Sequence, residues 1–257
     1  MTYDVEAKSY PKMVFGEDVN LLRVEGSIYN AELVICDMAG TTVEDEGLVL
    51  EAFRNTAVEM ELTIGSTRFE NAINYALETM GYSKIEVFRH IFDNETEAQQ
   101  ANSTFETQYA KLVTECGVAG IPGATSLFAA LKSRSIKVAL TTGFSKTTQD
   151  LILEKLDWKN QVDYFGTPNT ADRGRPFPDT LLSAMSALEI EDPQKVIVVG
   201  DTSSDIAAAR AANVALSIGV LSGAHGCKEL LDAKANLILD SVSDLVTLFY
   251  AFGKPTK

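Results

Sequence analysis

The sequence LVICDMAGTT, residues 33–42, decides how the rest of the chain is interpreted. Its first four residues are apolar, which is typical of a buried strand in a parallel sheet. Asp37 follows at the carboxyl end of that strand, where open α/β sheets place their active sites. Two positions further the chain has Ala39, so a second carboxylate that could serve as a general acid is missing there. The stretch therefore predicts a nucleophile without a neighbouring acid.

The composition limits the class of protein and its partners. Of the 257 residues 46% are hydrophobic and 23% charged, as in globular enzymes with an ample core. We expect neither a membrane span nor a signal peptide, because no long apolar run is present. Three scattered cysteines suit a reducing compartment, so a cytoplasmic location is expected. The net charge of −14 argues against nucleic acid or an anionic membrane as a partner.

The order of the predicted elements indicates an α/β fold with one insertion. After the opening stretch the apolar spacing is helical for about 80 residues, and then strands and helices alternate. That alternation predicts a doubly wound parallel sheet. We expect a Rossmann-like core domain from residues 32–43 and 122–257, with a small all-helical cap from residues 44–121 inserted after the first core strand. Residues 1–31 are predicted to form an N-terminal extension.

Four short segments are predicted to meet at the carboxyl edge of this sheet. The first contains Asp37, and the second is Thr141–Gly143, whose hydroxyl and backbone N–H groups could hold phosphate oxygens. The third contains the loop cation Arg175. The fourth contains Asp201 and Asp205, which with Asp37 would form a carboxylate cluster suited to Mg²⁺. Any of these residues alone could be a turn or helix-capping residue, and only the four segments together indicate a phosphate site.

In order and context these segments resemble the four motifs of the haloacid dehalogenase superfamily of phosphotransferases. The resemblance extends from about residue 32 to the C-terminus. The chain departs from the general superfamily pattern at two positions, with Ala39 in place of the general acid and Arg175 in place of the usual lysine. In both departures it resembles the phosphonoacetaldehyde hydrolase (phosphonatase) family. That family forms a Schiff base on a cap lysine within a Met-Gly-x-x-Lys-Ile pattern. The pattern is matched by MGYSKI, residues 80–85, so the resemblance implies this role for Lys84.

Physical considerations favour the same role for Lys84. If Ser83 caps a helix, Lys84 is the first helical residue, where the positive end of the helix dipole disfavours an ammonium group. Burial under a closed cap and the nearby charge of Arg175 would act in the same direction. A lysine with a lowered pKa is a usable amine nucleophile. Without the resemblance, Lys84 would be interpreted as a solvated surface residue, as most lysines are.

The resemblance implies a reaction and a set of site residues. We expect hydrolysis of the C–P bond of phosphonoacetaldehyde or a related 2-oxoalkylphosphonate, through a Schiff base and an aspartyl phosphate, with Mg²⁺ as cofactor. The expected catalytic residues are Asp37, Lys84, Arg175 and Thr142. The expected substrate-binding residues are Thr41, Gly143, Met80 and Phe144. The expected metal ligands are Asp37, Asp201, Asp205 and the backbone carbonyl of Ala39.

One departure from the phosphonatases bears on the substrate. Those enzymes carry a histidine three residues after the Schiff-base lysine, implicated in proton transfer, and here this position is Val87. His90 lies one helical turn further and either replaces that histidine or is an ordinary helix residue. The sequence therefore favours a relative of phosphonatase over phosphonatase itself.

Two alternative functions remain open at this point. One is a Mg²⁺-dependent phosphomonoesterase or phosphomutase of the same fold, acting on a small phosphorylated metabolite. The other is a catalytically silent binding protein, against which the three intact aspartates argue. In either enzymatic case the expected partner is a small anionic phosphonate or phosphate. The resemblance also implies a homodimer formed through the cap.

Overall fold

The computed structural model describes residues 10–17, 19–44, 47–168 and 173–255. The strands in these ranges are β1 Val14–Phe15, β2 Leu33–Asp37, β3 Lys137–Thr141, β4 Tyr164–Gly166, β5 Val196–Gly200, β6 Leu216–Val220 and β7 Leu237–Leu239. They form one sheet in the order β1-β7-β6-β5-β2-β3-β4. Neighbouring strands are parallel except β1 and β7, which are antiparallel. The predicted α/β fold with a largely parallel sheet is thereby confirmed.

Helices alternate with these strands in all but one part of the chain. They are α1 Leu21–Asn30, α2 Leu48–Glu59, α3 Thr67–Glu78, α4 Lys84–Ile91, α5 Glu95–Cys116, α6 Ala124–Lys132, α7 Lys146–Lys155, α8 Asp179–Ala187, α9 Ser203–Ala211, α10 Cys227–Asp232 and α11 Val242–Phe252. A short 3₁₀ helix spans Pro193–Lys195. Five of them, α2 to α6, follow one another between β2 and β3, and we call the first four, α2 to α5, the insertion. None of the described helices combines the length and the apolar character that a bilayer crossing requires.

Strand β2 lies in the middle of the sheet and sets the position of Asp37. All five of its residues are buried, which explains why its sequence is a continuous apolar run instead of an alternating one. Its register with β3 places Asp37 beside Thr141. Cys36 belongs to the hydrophobic core, as predicted, and burial raises the pKa of its thiol to about 12. The sheet therefore presents Asp37 at its carboxyl edge.

The insertion packs around a group of aromatic side chains. The ring of Phe53 lies 4.7 Å from that of Phe105, and the ring of Phe88 lies 5.9 Å from Phe105. Phe144, in the loop after β3, extends this group because its ring centroid is 4.6 Å from that of Tyr109 on α5. Residues of the insertion and of the sheet thus belong to one hydrophobic cluster. The division into a core domain and a cap domain stays a prediction.

The predicted N-terminal extension packs against the rest of the protein where it is described. Val14–Phe15 pairs antiparallel with Leu237–Ile238 and adds an edge strand to the sheet, and α1 packs against α11. Part of the predicted extension, residues 1–9 and 18, lies outside the described residues. The structure also contains α6 and β4, which the apolar pattern did not predict.

Candidate active site

A cavity of about 360 Å³ lies between the carboxyl edge of the sheet and the insertion. The lining residues that were predicted for the site are Asp37, Ala39, Met80, Lys84, Thr142, Gly143, Phe144, Arg175 and Asp201. Residues from four separate segments of the sheet edge and from the insertion therefore face one space. Thr41 and Asp205 are outside this lining, and both are buried.

Arg175 holds two of the carboxylates at the sheet edge. Its Nη1 atom lies 2.6 Å from Asp37 Oδ1 and also contacts Asp205 Oδ1. These side chains are 6%, 7% and 3% exposed for Arg175, Asp37 and Asp205, so the ion pairs are shielded from solvent. A guanidinium can form ion pairs with two carboxylates at once, which explains why an arginine suits position 175. The nucleophile predicted from the sequence is thus fixed in orientation by a cation from a loop 138 positions further along the chain.

Asp201 completes the cluster and depends on its own hydrogen bonds. Its Oδ1 atom accepts from the Thr41 hydroxyl at 2.9 Å, and its Oδ2 atom accepts from the Ala224 N–H at 2.8 Å. Thr41 therefore orients a predicted metal ligand, whereas it was predicted to bind substrate. Gly40 is required beside Asp201, because its φ is +82° and a Cβ there would lie 2.5 Å from Asp201 Oδ2.

When its three carboxylates are ionised, the buried cluster carries two net negative charges, because the Arg175 guanidinium balances one of the three. Oxygen atoms of Asp37, Asp201 and Asp205 lie within 4.8 Å of one another, a spacing that would fit a single cation. The pKa of Asp201 is raised to about 7, first because it is buried and second because Asp37 is negative beside it. One divalent cation would balance the charge, and hard oxygen donors are the ligands that Mg²⁺ prefers. The residues present therefore fit the predicted Mg²⁺.

Asp205 has structural partners at both of its oxygen atoms. Oδ1 contacts Arg175, while Oδ2 accepts from the Thr202 N–H at 3.0 Å and from the Thr202 hydroxyl at 2.5 Å. The bond from the Thr202 N–H to Oδ2 and the bond from the Asp205 N–H to the Thr202 hydroxyl oxygen together form a capping box at the start of α9. Asp205 therefore combines helix capping with the support of Arg175, and it belongs to the same carboxylate cluster as Asp37 and Asp201.

Lys84 is buried at the first position of α4, as predicted. It is 6% exposed, and its Nζ atom lies 5.6, 6.0 and 5.5 Å from the ring centroids of Phe53, Phe105 and Phe144. These rings exclude water from the amine, and Lys84 lines the same cavity as Asp37. Ser83 occupies the N-cap position of α4, as predicted, but its side chain makes no capping hydrogen bond.

The turn before Lys84 is docked on the sheet edge. The Ser204 hydroxyl donates to the Met80 carbonyl at 3.0 Å. Gly81 has a φ of +86°, and a Cβ there would lie 2.3 Å from the Thr202 hydroxyl oxygen. A Cβ on Gly143 would lie 2.7 Å from the Tyr82 carbonyl oxygen in the same turn. Both glycines thus allow the turn to approach, and the approach brings Lys84 over the carboxylates.

Glu106 is a second contact between the insertion and the sheet edge, and sequence reasoning missed it. Its carboxylate accepts from the Ser145 N–H at 3.1 Å, from the Ser145 hydroxyl at 2.7 Å and from the Thr148 hydroxyl. Ser145 is the N-cap of α7, directly after the loop that contains Thr142 and Gly143. A carboxylate at this helix N-terminus is favourable for the helix dipole. Nothing in the local pattern of α5 indicates the contact.

The two histidines and Val87 do not line the cavity in the described part of the chain. Val87 is 1% exposed and packs inside the insertion. His90 is exposed and stacks on Tyr75 with ring centroids 3.8 Å apart, so it does not replace the family histidine. His225 accepts from the Ser203 N–H through Nδ1 at 2.9 Å, and partial burial lowers its pKa. Its contact supports the loop that follows Asp201.

Known proteins with related sequences were found across most of the chain. A phosphonoacetaldehyde hydrolase from Bacteroides fragilis is 29% identical over 216 residues, which cover 76% of this chain and 77% of that protein. A phosphonoacetaldehyde hydrolase from Bacillus cytotoxicus is 27% identical over 218 residues, with coverage of 75% and 76%. The chain thus spans about three quarters of these relatives.

Solved structures share the fold. A phosphonoacetaldehyde hydrolase-like protein from Oleispira antarctica has a TM-score of 0.72 at 23% identity and covers 90% of this chain and 97% of its own. A β-phosphoglucomutase from Clostridium difficile has a TM-score of 0.69 at 24% identity, with coverage of 84% and 93%. The family model for haloacid dehalogenase-like hydrolases matches residues 34–218, which is more than half of the chain. With the aspartates at its sheet edge, the chain therefore belongs to the haloacid dehalogenase-like hydrolases.

Proposed function

We propose that this hydrolase cleaves the C–P bond of phosphonoacetaldehyde or a related 2-oxoalkylphosphonate. The observation that carries the proposal is the pairing of Lys84 and Asp37 along one cavity, with Ala39 where an acid would be needed for ester chemistry. The similarity to phosphonoacetaldehyde hydrolases supports the same reaction.

The missing acid separates C–P cleavage from ester hydrolysis. A phosphate ester expels an alkoxide, which needs a proton, and loss of general acid catalysis typically costs about 10²–10⁴ in rate. Cleavage of a C–P bond instead leaves an electron pair on carbon. An iminium on the adjacent carbon can accept that pair, so an amine replaces the acid. Lys84 is the amine in this cavity.

The proposed reaction has four steps. The neutral Lys84 amine adds to the carbonyl carbon, and the adduct takes up a proton from solvent and releases water, which gives an iminium. The Asp37 carboxylate attacks phosphorus, and the C–P electron pair moves into the iminium to form an enamine. Water then hydrolyses the aspartyl phosphate and releases phosphate. The enamine takes up a proton at carbon, and a second water hydrolyses the resulting iminium, which frees the carbonyl product and the Lys84 amine.

Other residues bind and orient the phosphonate. Arg175 holds Asp37 in position and places positive charge beside the attacked phosphoryl group. Thr142 and Gly143 line the cavity, where the hydroxyl of the first and the N–H of the second would orient phosphonate oxygens. When bound, Mg²⁺ at Asp37, Asp201 and the Ala39 carbonyl would neutralise charge on those oxygens.

Borohydride trapping tests the Schiff base. The protein is incubated with phosphonoacetaldehyde and Mg²⁺, reduced with borohydride and digested for mass spectrometry. We expect a reduced adduct on Lys84 and loss of both the adduct and phosphate release in Lys84→Gln. The matched control is Lys111→Gln, which removes an exposed lysine from the same insertion and should leave both unchanged.

Other outcomes would favour the alternative functions. Absence of an adduct, together with hydrolysis of p-nitrophenyl phosphate that survives Lys84→Gln, would indicate a phosphomonoesterase or phosphomutase. Absence of turnover of any phosphorylated compound in the presence of Mg²⁺ would indicate a binding protein. The homodimer through the cap and the cytoplasmic location are also proposals, and sedimentation equilibrium tests the first.

A further inference from the structure

We infer that the substrate carries an apolar group on its carbonyl carbon, so that the preferred substrate is a ketone with a short alkyl chain. The inference rests on the proposed function and narrows its substrate class. It is carried by the two unlike halves of the cavity, by the cavity volume and by the set of charged residues in the lining.

The cavity has a polar half at the sheet edge and an apolar half on the insertion. The polar half contains Asp37, Thr142, Gly143, Arg175 and Asp201. The apolar half contains Val49, Leu50, Leu77 and Met80. A phosphonate takes the polar half because its charge has partners there. The opposite end of the substrate then faces aliphatic side chains, which favour alkyl groups over polar ones.

The cavity is larger than phosphonoacetaldehyde requires. A cavity of about 150 Å³ holds benzene, which is close to phosphonoacetaldehyde in size. A metal ion with three water molecules, at about 30 Å³ for each water, would take roughly another 90 Å³. Of the 360 Å³ present, about 100 Å³ remain. That space is sufficient for a chain of several carbon atoms on the carbonyl.

The charges of the lining argue against a carboxylate at that end. Among the lining residues that the structure describes, the cations are Lys84 and Arg175. Arg175 is engaged with Asp37, and Lys84 is the amine that reacts with the carbonyl. A carboxylate beside the carbonyl would lie against the aliphatic side chains of Val49 and Leu77, which offer it no hydrogen-bond donor, and even partial removal of a charged group from water is unfavourable. A 2-oxoalkylphosphonate is therefore favoured over a phosphonate that carries a 2-oxo acid.

A series of ketones tests the inference on the unmodified holoenzyme. The value of kcat/KM is measured by phosphate release for 2-oxopropyl-, 2-oxobutyl- and 2-oxopentylphosphonate, among which the carbonyl reactivity is nearly constant. A fully buried methylene is worth about fourfold, and we expect about a tenfold gain across the series because the cavity is partly open. In the second comparison, 3-methyl-2-oxobutylphosphonate should exceed 3-phosphonopyruvate by at least about 100-fold, because isopropyl and carboxylate groups are similar in size but only the carboxylate is charged.

A pair of matched variants assigns the effect to the apolar half. Leu77→Phe reduces the space at the cavity wall and should lower the preference for 2-oxopentyl- over 2-oxopropylphosphonate by at least about fivefold. Leu182→Phe makes the same change on α8, away from the cavity, and should keep the preference. The two leucines are 43% and 45% exposed, so the two changes disturb folding to a similar extent.

Two results would overturn the inference while the proposed function stands. The first is a higher kcat/KM for 2-oxopropyl- than for 2-oxopentylphosphonate with a Lys84 adduct still formed. The second is cleavage of 3-phosphonopyruvate as fast as its isopropyl counterpart. Absence of phosphate release and of any Lys84 adduct with all of these compounds would refute the proposed function, and the inference would fail with it.

Discussion

Without divalent cations, the stability of this protein should fall as the pH rises from about 4 to about 7. Burial and the negative charge of Asp37 raise the pKa of Asp201 from 3.8 to about 7. A carboxyl group whose pKa is raised by folding binds its proton more tightly in the folded state than in the unfolded chain. The contribution of Asp201 to the stability of the metal-free protein is therefore fully present below the unfolded pKa and is lost as the pH rises through the folded pKa.

The size of the effect follows from the two pKa values. They differ by about three units, and each unit corresponds to about 1.36 kcal/mol, which gives an upper limit of roughly 4 kcal/mol. Since domains are usually stable by about 5–15 kcal/mol, such a loss is a large part of the total. A cation binds the ionised carboxylates and not the protonated ones, so Mg²⁺ should add most of its stability above about pH 7.

Urea unfolding between about pH 4.5 and 8, with EDTA or with excess Mg²⁺, measures this dependence. The single tryptophan, Trp158, is 2% exposed and provides the fluorescence signal. Asp201→Asn is the control, because an amide can accept from the Ala224 N–H and donate to the Thr41 hydroxyl, yet it does not titrate. The variant should lose the pH dependence and most of the Mg²⁺ effect. If the free energy of unfolding of Asp201→Asn changed with pH as steeply as that of the unmodified protein, the reasoning would be refuted.

Three further perturbations test contacts around the site. In a double-mutant cycle of Glu106→Gln and Ser145→Ala, urea unfolding should give a coupling of at least about 1 kcal/mol, and additive effects would contradict the contact. Arg175→Met leaves two buried carboxylates unpaired and should lower the free energy of unfolding by about 3–5 kcal/mol, so a loss below about 1 kcal/mol would argue against a buried ion pair. Gly81→Ala should lower kcat at least about tenfold, because its Cβ would lie 2.3 Å from a threonine oxygen of the sheet edge. Gly65 has a similar φ with open space around it, so Gly65→Ala is the control. Equal kcat and equal Tm for the two variants would show that backbone strain alone is responsible for the effect.

The parts of the site that the sequence predicts are those with a strong local signal. The apolar run before Asp37 indicates a central strand, and parallel strands bring their carboxyl ends to one edge. This rule is sufficient to place Asp37 and Asp201 together, although they are far apart in the chain, whereas Arg175 follows β4, which the apolar pattern did not predict. The prediction for Lys84 came from the motif in residues 80–85 and not from the helical pattern, because that pattern does not distinguish a buried lysine from an exposed one.

The rest depends on tertiary contacts that leave no local periodicity. Thr41 and Asp201 are 160 positions apart, and Glu106 and Ser145 are 39 apart, so neither hydrogen bond is visible in a sequence window. Strand β1 has two residues and β4 has three, which is too short for an alternating pattern to be recognised. These strands form because the neighbouring strand supplies backbone partners, not because their own residues require it.

The position of Phe144 limits how this enzyme can be recombined with its relatives. Its ring is 2% exposed and fills a space among aromatic side chains of the insertion, although its backbone belongs to the loop after β3. A chimaera that takes helices α2 to α5 from another family member would have to take residue 144 from the same parent. Otherwise the ring would clash or leave a void, and Thr142 in the same loop would shift. In such a chimaera, the identity of residue 144 has to match the helices that it contacts and not the strand that it follows.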